Sequence, residues 1–295
     1  MRKSREIETV QFLDKFLVLV DLFLSKILRP VLRNHVDPNR ISQSFFKKLV
    51  EDLNRVFGDK VAVYVQSDQL VNYLSSQTLP PGTRLVVAGG ADVDFDCQKL
   101  LSQGLPEHVT FFIQHLNCKE TETLKFLPIG IEDSRRARNG LGWNFSQSLR
   151  LRKKTKEVLI GPFKSTDASR SELLKVSDFV PSSTVLNFRK ASFVYSRIAS
   201  RHRFVACPRG AGIDTHRFWE TLYRGSVPIV EKSDWATNLR NYAIPCLEID
   251  SWADLPRQSL NFDQFSHLDC QNFLSTDWWT KRLIGLIVAS IQSSK

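Results

Sequence analysis

The chain has 295 residues, 42% hydrophobic and 11% aromatic, enough for ordinary packed cores and against long disorder. At about 150 residues per domain, this length suits two domains. With 41 Lys and Arg against 31 Asp and Glu, the net charge is +10, which favours anionic partners: nucleotides, phosphates, acidic glycans, nucleic acid or a membrane surface.

The first apolar block, 10–32, is interrupted by Asp14, Lys15, Asp21, Lys26 and Arg29, which argues against a membrane span. Leu13, Phe16, Leu17, Val20, Phe23, Leu24 and Ile27 recur at helical spacing. The stripe predicts a long helix packed on the protein's own core. Its basic ends (Arg2, Lys3 and Arg5, then Arg29 and Arg33) leave a membrane-surface helix as the alternative. No secretory signal is read in it. A second helix is predicted over 42–57.

Short apolar strands follow at 60–65, 83–88, 108–113 and 125–129. Near-continuous apolar runs of this length predict a parallel sheet covered on both faces. From 132 to 156 the chain turns polar and basic, with Trp143 and Phe145 interleaved, and reads as a solvated crossing between two lobes. Beyond it, strands at 157–160, 204–207, 227–230 and 244–249 alternate with helices near 169–177, 186–200, 214–223 and 235–242. This alternation predicts a doubly wound α/β lobe. An amphipathic helix over 278–291 ends the chain. The expected organisation is a helical segment 1–57 packed on a first lobe 58–150, a second lobe 151–277 and a C-terminal helix 278–295.

The five cysteines, 97, 118, 207, 246 and 270, form no CxxC pair, so a zinc ribbon is not expected. Cys207 and Cys246 lie in apolar runs and read as small buried hydrophobes. A reducing, cytoplasmic compartment is expected, with peripheral contact at an anionic membrane face as an option.

The densest chemical signal is the run from Phe204 through Cys207-Pro208-Arg209-Gly210-Ala211-Gly212-Ile213-Asp214-Thr215 to Arg217 and Glu220, closed by Gly225-Ser226-Val227-Pro228. It reads as strand, glycine turn, helix and strand. Gly210 and Gly212 permit a tight turn and close approach of a ligand to the backbone. Asp214 or Thr215 is placed to cap the helix. A helix N-terminus suits phosphate. Arg217 and Glu220, three apart, share a face. A third glycine is missing, since position 215 is threonine, and no Gly-Lys-Ser/Thr follows. Neither the dinucleotide fingerprint nor the P-loop is therefore present.

This segment resembles the donor-site segment of exostosin-like glycosyltransferases, which runs strand, Pro-Arg-Gly, Ser/Thr-x-Arg-x-x-Glu, Ala-Leu, Gly-Cys-x-Pro-Val-Val. Alpha-1,3-fucosyltransferases carry a related helix before a Gly-x-x-Pro-Ile exit. The resemblance covers about 30 residues, one βαβ unit. It implies a GT-B architecture, two Rossmann-like lobes with a nucleotide sugar in the cleft between them. It also implies an inverting, metal-independent transfer of a sugar to a glycan or lipid-linked acceptor, as in polysaccharide biosynthesis. No cofactor is expected beyond the nucleotide-sugar substrate. The family role of countering the diphosphate falls on Arg217, with Arg209 as a second phosphate contact. The ribose or base contact falls on Glu220. Thr221 stands where the family has a small residue, and the secretory anchor of animal members is not read here, which fits a soluble bacterial-type enzyme.

A general base must come from the other lobe. The segment Pro128-Ile129-Gly130-Ile131-Glu132-Asp133 ends a strand and turns acidic, so Glu132 and Asp133 are candidates, alongside turn capping as the alternative role. His115, just after the strand at 108–113, is the third. Asp92-x-Asp94-x-Asp96 has the spacing of a cation loop but sits in the first lobe, away from the donor segment, and reads as a turn or an acceptor loop. The competing class is a basic, non-enzymatic module for nucleic acid or an anionic membrane. No nucleic-acid motif supports the former.

Overall fold

The computed structural model describes residues 12–24, 26–27, 39–133, 139–265 and 271–293. The chain is a mixed α/β protein with two parallel sheets. Helix α1 (Gln43–Phe57) begins at Ser42, whose hydroxyl accepts the Phe45 amide, and buries Phe45, Phe46, Leu49, Val50 and Leu53 along one stripe. The first sheet follows as β1 (Ala62–Gln66), β2 (Leu85–Gly89), β3 (Thr110–Ile113) and β4 (Leu124–Phe126), paired in sequential order. Helices α2 (Leu70–Ser76) and α3 (Cys97–Leu101) lie between its strands. All five residues of β2 are buried, as expected of a strand covered on both faces.

After α4 (Gln147–Arg150) the second sheet is built from β5 (Lys156–Ile160), β6 (Ser183–Val185), β7 (His202–Ala206), β8 (Val227–Glu231) and β9 (Leu247–Ile249). Its spatial order is β6-β5-β7-β8-β9. The chain thus starts inside the sheet, steps outward to β6, and returns to the other side of β5. The strand order reverses between β5 and β7, and ligands of such sheets bind beyond the carboxyl ends of the strands at that point. Between these strands lie α5 (Ala168–Val176), α6 (Ser192–Ala199), α7 (His216–Tyr223) and α8 (Asp234–Asn241). One face of the sheet packs Val158, Ile160, Phe204 and Ile229 under Leu173 and Trp252. The other, with Leu159, Val205 and Val230, joins the core of the first sheet.

That shared core is aromatic. Trp219 of α7 stacks on Phe126 of β4 with centroids 6.1 Å apart. After α9 (Gln271–Leu274), helix α10 (Thr276–Ser293) sets Trp279 edge-on to Phe46 and Phe112. Such pairs add about 1 kcal/mol each beyond their buried area. The Trp219–Phe126 pair joins the two sheets, and the Trp279 pairs seat α10 on the first.

Four expectations are corrected. The described residues of the N-terminal helix are tied to the second lobe. Asp14 pairs with Lys190 and the Asp21 carboxylate accepts the Ser192 amide and hydroxyl, both in the second lobe, while most of the helix's apolar stripe stays exposed. The crossing segment is not simply solvated, because Phe145 and Asn144 are buried and Lys154 donates to the carbonyls of Ser200 and Arg224. Burial and the neighbouring Arg224 push the Lys154 pKa down to about 8. Residues 186–191 are not helical, and a short edge strand, β6, precedes them. Finally, Cys97 and Cys118 form a disulfide, with Cα atoms 6.3 Å apart, which runs against the reducing compartment expected from cysteine spacing. Cys207 and Cys246 are free; Cys207 is buried as expected, and Cys246 is partly so.

Candidate functional site

The carboxyl ends of β5 and β7 release two loops side by side. From β5 comes Gly161-Pro162-Phe163. Gly161 has φ +77, and a Cβ there would come 2.5 Å from the Leu186 carbonyl oxygen, so only glycine fits. From β7 comes the run 207–214, which leads into α7. Thr215 holds the N-cap position without a side-chain cap bond, and Asp214 does not supply a conventional cap either. The Asp214 carboxylate instead accepts the Ile129 amide at 2.8 Å and the Trp219 indole N–H at 2.7 Å. It is a buried tie to the first sheet, and burial pushes its pKa up to about 8 against the pull of those donors. A donor-binding contact expected of Asp214 does not match this placement.

Cations and rings alternate over the loops. Arg170, in the first turn of α5, and Arg217, in the first turn of α7, both face the Phe163 ring, at 5.9 and 4.6 Å from its centroid. Arg217 also lies 5.6 Å from the Tyr195 ring, which meets Arg224 at 5.5 Å on its way to Phe145. Arg217 Nη2 donates to the Pro162 carbonyl at 2.6 Å. Its Nη1 is buried and has no hydrogen-bond partner among the described residues. Arg170 is anchored by its Nε on the Arg209 carbonyl, and burial together with the charge of Arg217 lowers its pKa. Burial pushes the Tyr195 pKa up, although Arg217 and Arg224 pull it down.

Arg209 is placed differently from Arg217. It ion-pairs with Asp94 of the first lobe and lies 3.4 Å from Asp167. Asp94 also accepts the Ile213 amide at 2.7 Å. The acidic loop expected to lie away from the donor segment therefore closes directly on it. Asp96, the next acid in that loop, caps α3 through the Lys99 amide. Burial would raise the Asp167 pKa, but the Ser169 hydroxyl and amide outweigh it, with Arg209 adding, and the net shift is downward.

Glu220 does not pair with Arg217. It is buried, and its carboxylate lies 3.4 Å from Arg224 one turn later. Burial raises its pKa while Arg224 lowers it. The ribose contact expected of Glu220 does not match this enclosed position. The two glycines also serve the protein itself. A Cβ at Gly210 would meet Arg170 Nη2 at 3.0 Å, and one at Gly212 would lie 2.4 Å from His115 Nδ1. They make room for a guanidinium and an imidazole.

The three candidate bases divide. His115 adopts φ +59, is buried, and accepts the Asp214 amide on Nδ1 at 3.2 Å. That bond occupies the only lone pair of the neutral ring, leaving the proton on Nε2. Burial pushes its pKa down to about 4 despite Asp92 and Asp94. A base role does not match this arrangement. Asp133 is buried and its Oδ1 accepts the Ser44 amide, completing the N-terminal cap of α1. Glu132 is half-buried, and its charge reaches Glu220. The loop that carries it is pinned to α7, since His216 Nδ1 lies 2.8 Å from the Gly130 carbonyl.

Arg170, Phe163, Tyr195, Arg224 and Asp94 were not assigned to the site from sequence. Arg170 did leave a signal: a cation in the first turn of a helix opposes the helix dipole and invites an anion. Phe163 and Tyr195 left none, because single rings outside any motif are indistinguishable from core.

No protein-family model matches the chain, and no curated protein matches it. The site is therefore read from its own geometry.

Proposed function

We propose that this protein is a glycosyltransferase of the GT-B type, its two parallel sheets serving as Rossmann-like lobes, that moves a sugar from a nucleoside diphosphate to a hydroxyl acceptor. One observation carries the reading. Arg217 holds a buried Nη1, without a partner among the described residues, at the first turn of α7, beside the point where the strand order reverses. A guanidinium so placed, facing a second one across Phe163, calls for a dianionic ligand. A diphosphate at a helix N-terminus meets that demand. The resemblance of 204–230 to exostosin-like donor sites supports the same choice.

In this reading the acceptor oxygen attacks the anomeric carbon and the bond from that carbon to the phosphate oxygen breaks. The electron pair leaves with the diphosphate, where Arg217, Arg170 and the α7 amides meet it. The acceptor proton passes to Glu132, the candidate base that carries no capping bond among the described residues. Arg209 joins only if the diphosphate competes with Asp94 for it, so it acts as a latch on the loop first and a phosphate contact second.

A thermal-shift and calorimetric screen with UDP, GDP, CMP and ADP, alone and sugar-linked, tests this. One diphosphate should raise the unfolding temperature, since ligand at 100 times its Kd adds about 2.7 kcal/mol. Absence of any nucleoside diphosphate binding at millimolar ligand rejects the reading. Salt-steep polyanion binding that survives loss of Arg217 would replace it with a basic binding module.

A further inference from the structure

We propose that the N-terminal helix is a docking element for an anionic lipid bilayer, held so that its apolar face points away from the protein. Residues 12–24, 26 and 27 are helical. Asp14 and Asp21 lie seven residues apart and therefore on one face. Both are used inward. Asp14 pairs with Lys190, and Asp21 accepts the Ser192 amide at 3.1 Å and hydroxyl at 2.9 Å. Helix α6 begins at Ser192 with no cap from its own Ala191, so Asp21 supplies the anion its N-terminus needs.

The opposite face is apolar. Phe12, Phe16, Leu19, Phe23 and Ile27 form one stripe with Leu13 and Leu24 at its edge, all between 47 and 72% exposed. An ordinary surface helix buries such a stripe and shows its charges to water. Here the acids face the protein and the rings face out. Single exposed hydrophobics are unremarkable, but a contiguous stripe marks an interaction surface.

The charge beside the stripe selects the occupant. Exposed Lys15 and Lys26 border it. Next to it runs a groove of about 560 Å³ lined by Lys15, Val18, Leu19, Phe188 and Arg189, apolar within and cationic at its rim. Rings at acyl depth with cations at headgroup level is the arrangement of an interfacial helix on acidic lipid. A second copy of this chain would bring the same lysines against themselves across a two-fold axis. Among the described residues no helix is long and apolar enough to cross a membrane, so the contact is peripheral.

Vesicle flotation of the full chain tests this, using phosphatidylcholine alone and phosphatidylcholine mixed with phosphatidylglycerol. The chain should float with the mixed vesicles, less with the neutral ones, and less as salt rises. Phe16→Ser/Phe23→Ser should cut binding at least about tenfold with an unchanged unfolding temperature, since both rings are exposed. Lys15→Glu/Lys26→Glu should remove the preference for acidic lipid. The proposal is overturned if the wild type floats with neither vesicle, if the double Phe variant floats as well as the wild type, or if the wild type is a dimer that this variant makes monomeric. Nucleotide binding plays no part in these outcomes.

Discussion

Arg170 and Arg217 share the ring of Phe163, at 5.9 and 4.6 Å from its centroid, and so bring two positive charges together over one loop. Like charges in a partly buried place are tolerated when a ligand compensates them. Replacing Arg217 by Met keeps much of the packing and removes the charge. A charged hydrogen bond is worth about 1.5–3 kcal/mol, so diphosphate affinity should fall at least about tenfold by calorimetric titration. Unfolding temperature should change little, because the repulsion relieved at Arg170 offsets the lost bond to the Pro162 carbonyl. Equal affinity in the variant would remove Arg217 from the site.

Arg224 makes a contrasting prediction. It is buried, lies 3.4 Å from Glu220, and donates to Ser196 and the Asn144 carbonyl. Removing one partner of a buried pair leaves the other charge uncompensated, at a cost of about 3–5 kcal/mol. Arg224→Met should therefore destabilise strongly in urea unfolding. Arg224→Met with Glu220→Gln should recover part of that loss. If the single variant unfolds like the wild type, the pair does not hold α7.

Most strands were legible because their apolar runs are continuous: β2 and β8 lie within two residues of the expected bounds. The edge strand β6 was not, since Ser183-Thr184-Val185 is half-buried and carries no apolar run. The candidate site was legible through its glycines and Arg217. Its partners were not, because Phe163 and Asp94 reach it from two loops and Arg170 from the first turn of α5, and strand order, not sequence spacing, brings them together. The glycines were read as room for a ligand, whereas each already faces a side chain of the protein. The orientation of the N-terminal helix was hidden for a related reason: periodicity shows that a stripe exists but not which way it faces.

The disulfide is a third point of leverage. Cys97 and Cys118 are 21 residues apart and tie α3 to the loop after β3. Closing a loop of that size removes chain entropy from the unfolded state worth about 3 kcal/mol. Cys97→Ser, or added reductant, should lower unfolding free energy by about that amount. His115 lies three residues from Cys118, so loosening this loop should also lower the unfolding temperature gain from a bound diphosphate. No change with reductant would mean that the bond adds nothing.

The last prediction concerns pH. Burial holds the His115 pKa near 4, against an unfolded value of 6.5, so below pH 6.5 the unfolded chain binds a proton that the folded chain refuses. Stability linked to this residue is therefore complete above pH 6.5 and lost as pH falls toward 4. Each tenfold difference in proton affinity is worth about 1.4 kcal/mol, so the loss between pH 7.5 and 4.5 is about 2.5 kcal/mol. His115→Asn tests the assignment. Asparagine tolerates the positive φ, and its side-chain oxygen can accept the Asp214 amide in place of Nδ1, but it does not titrate. Asp214 works in the opposite direction: a folded pKa near 8, against 3.8 unfolded, gives stability that is complete below pH 3.8 and lost as pH rises through 8. Acid loosens the bond from the Asp214 amide to His115 by protonating Nδ1, whereas the Asp214 carboxylate titrates among other partners, the Ile129 amide and the Trp219 indole. Because the two slopes oppose each other between pH 7.5 and 4.5, the informative quantity is the difference between variant and wild type, in which the carboxylate cancels. Urea unfolding should show that difference moving by about 2.5 kcal/mol in favour of the variant as pH falls over that interval. Parallel profiles would mean that His115 takes up a proton as readily in the fold as in the unfolded chain, so that burial does not hold it neutral.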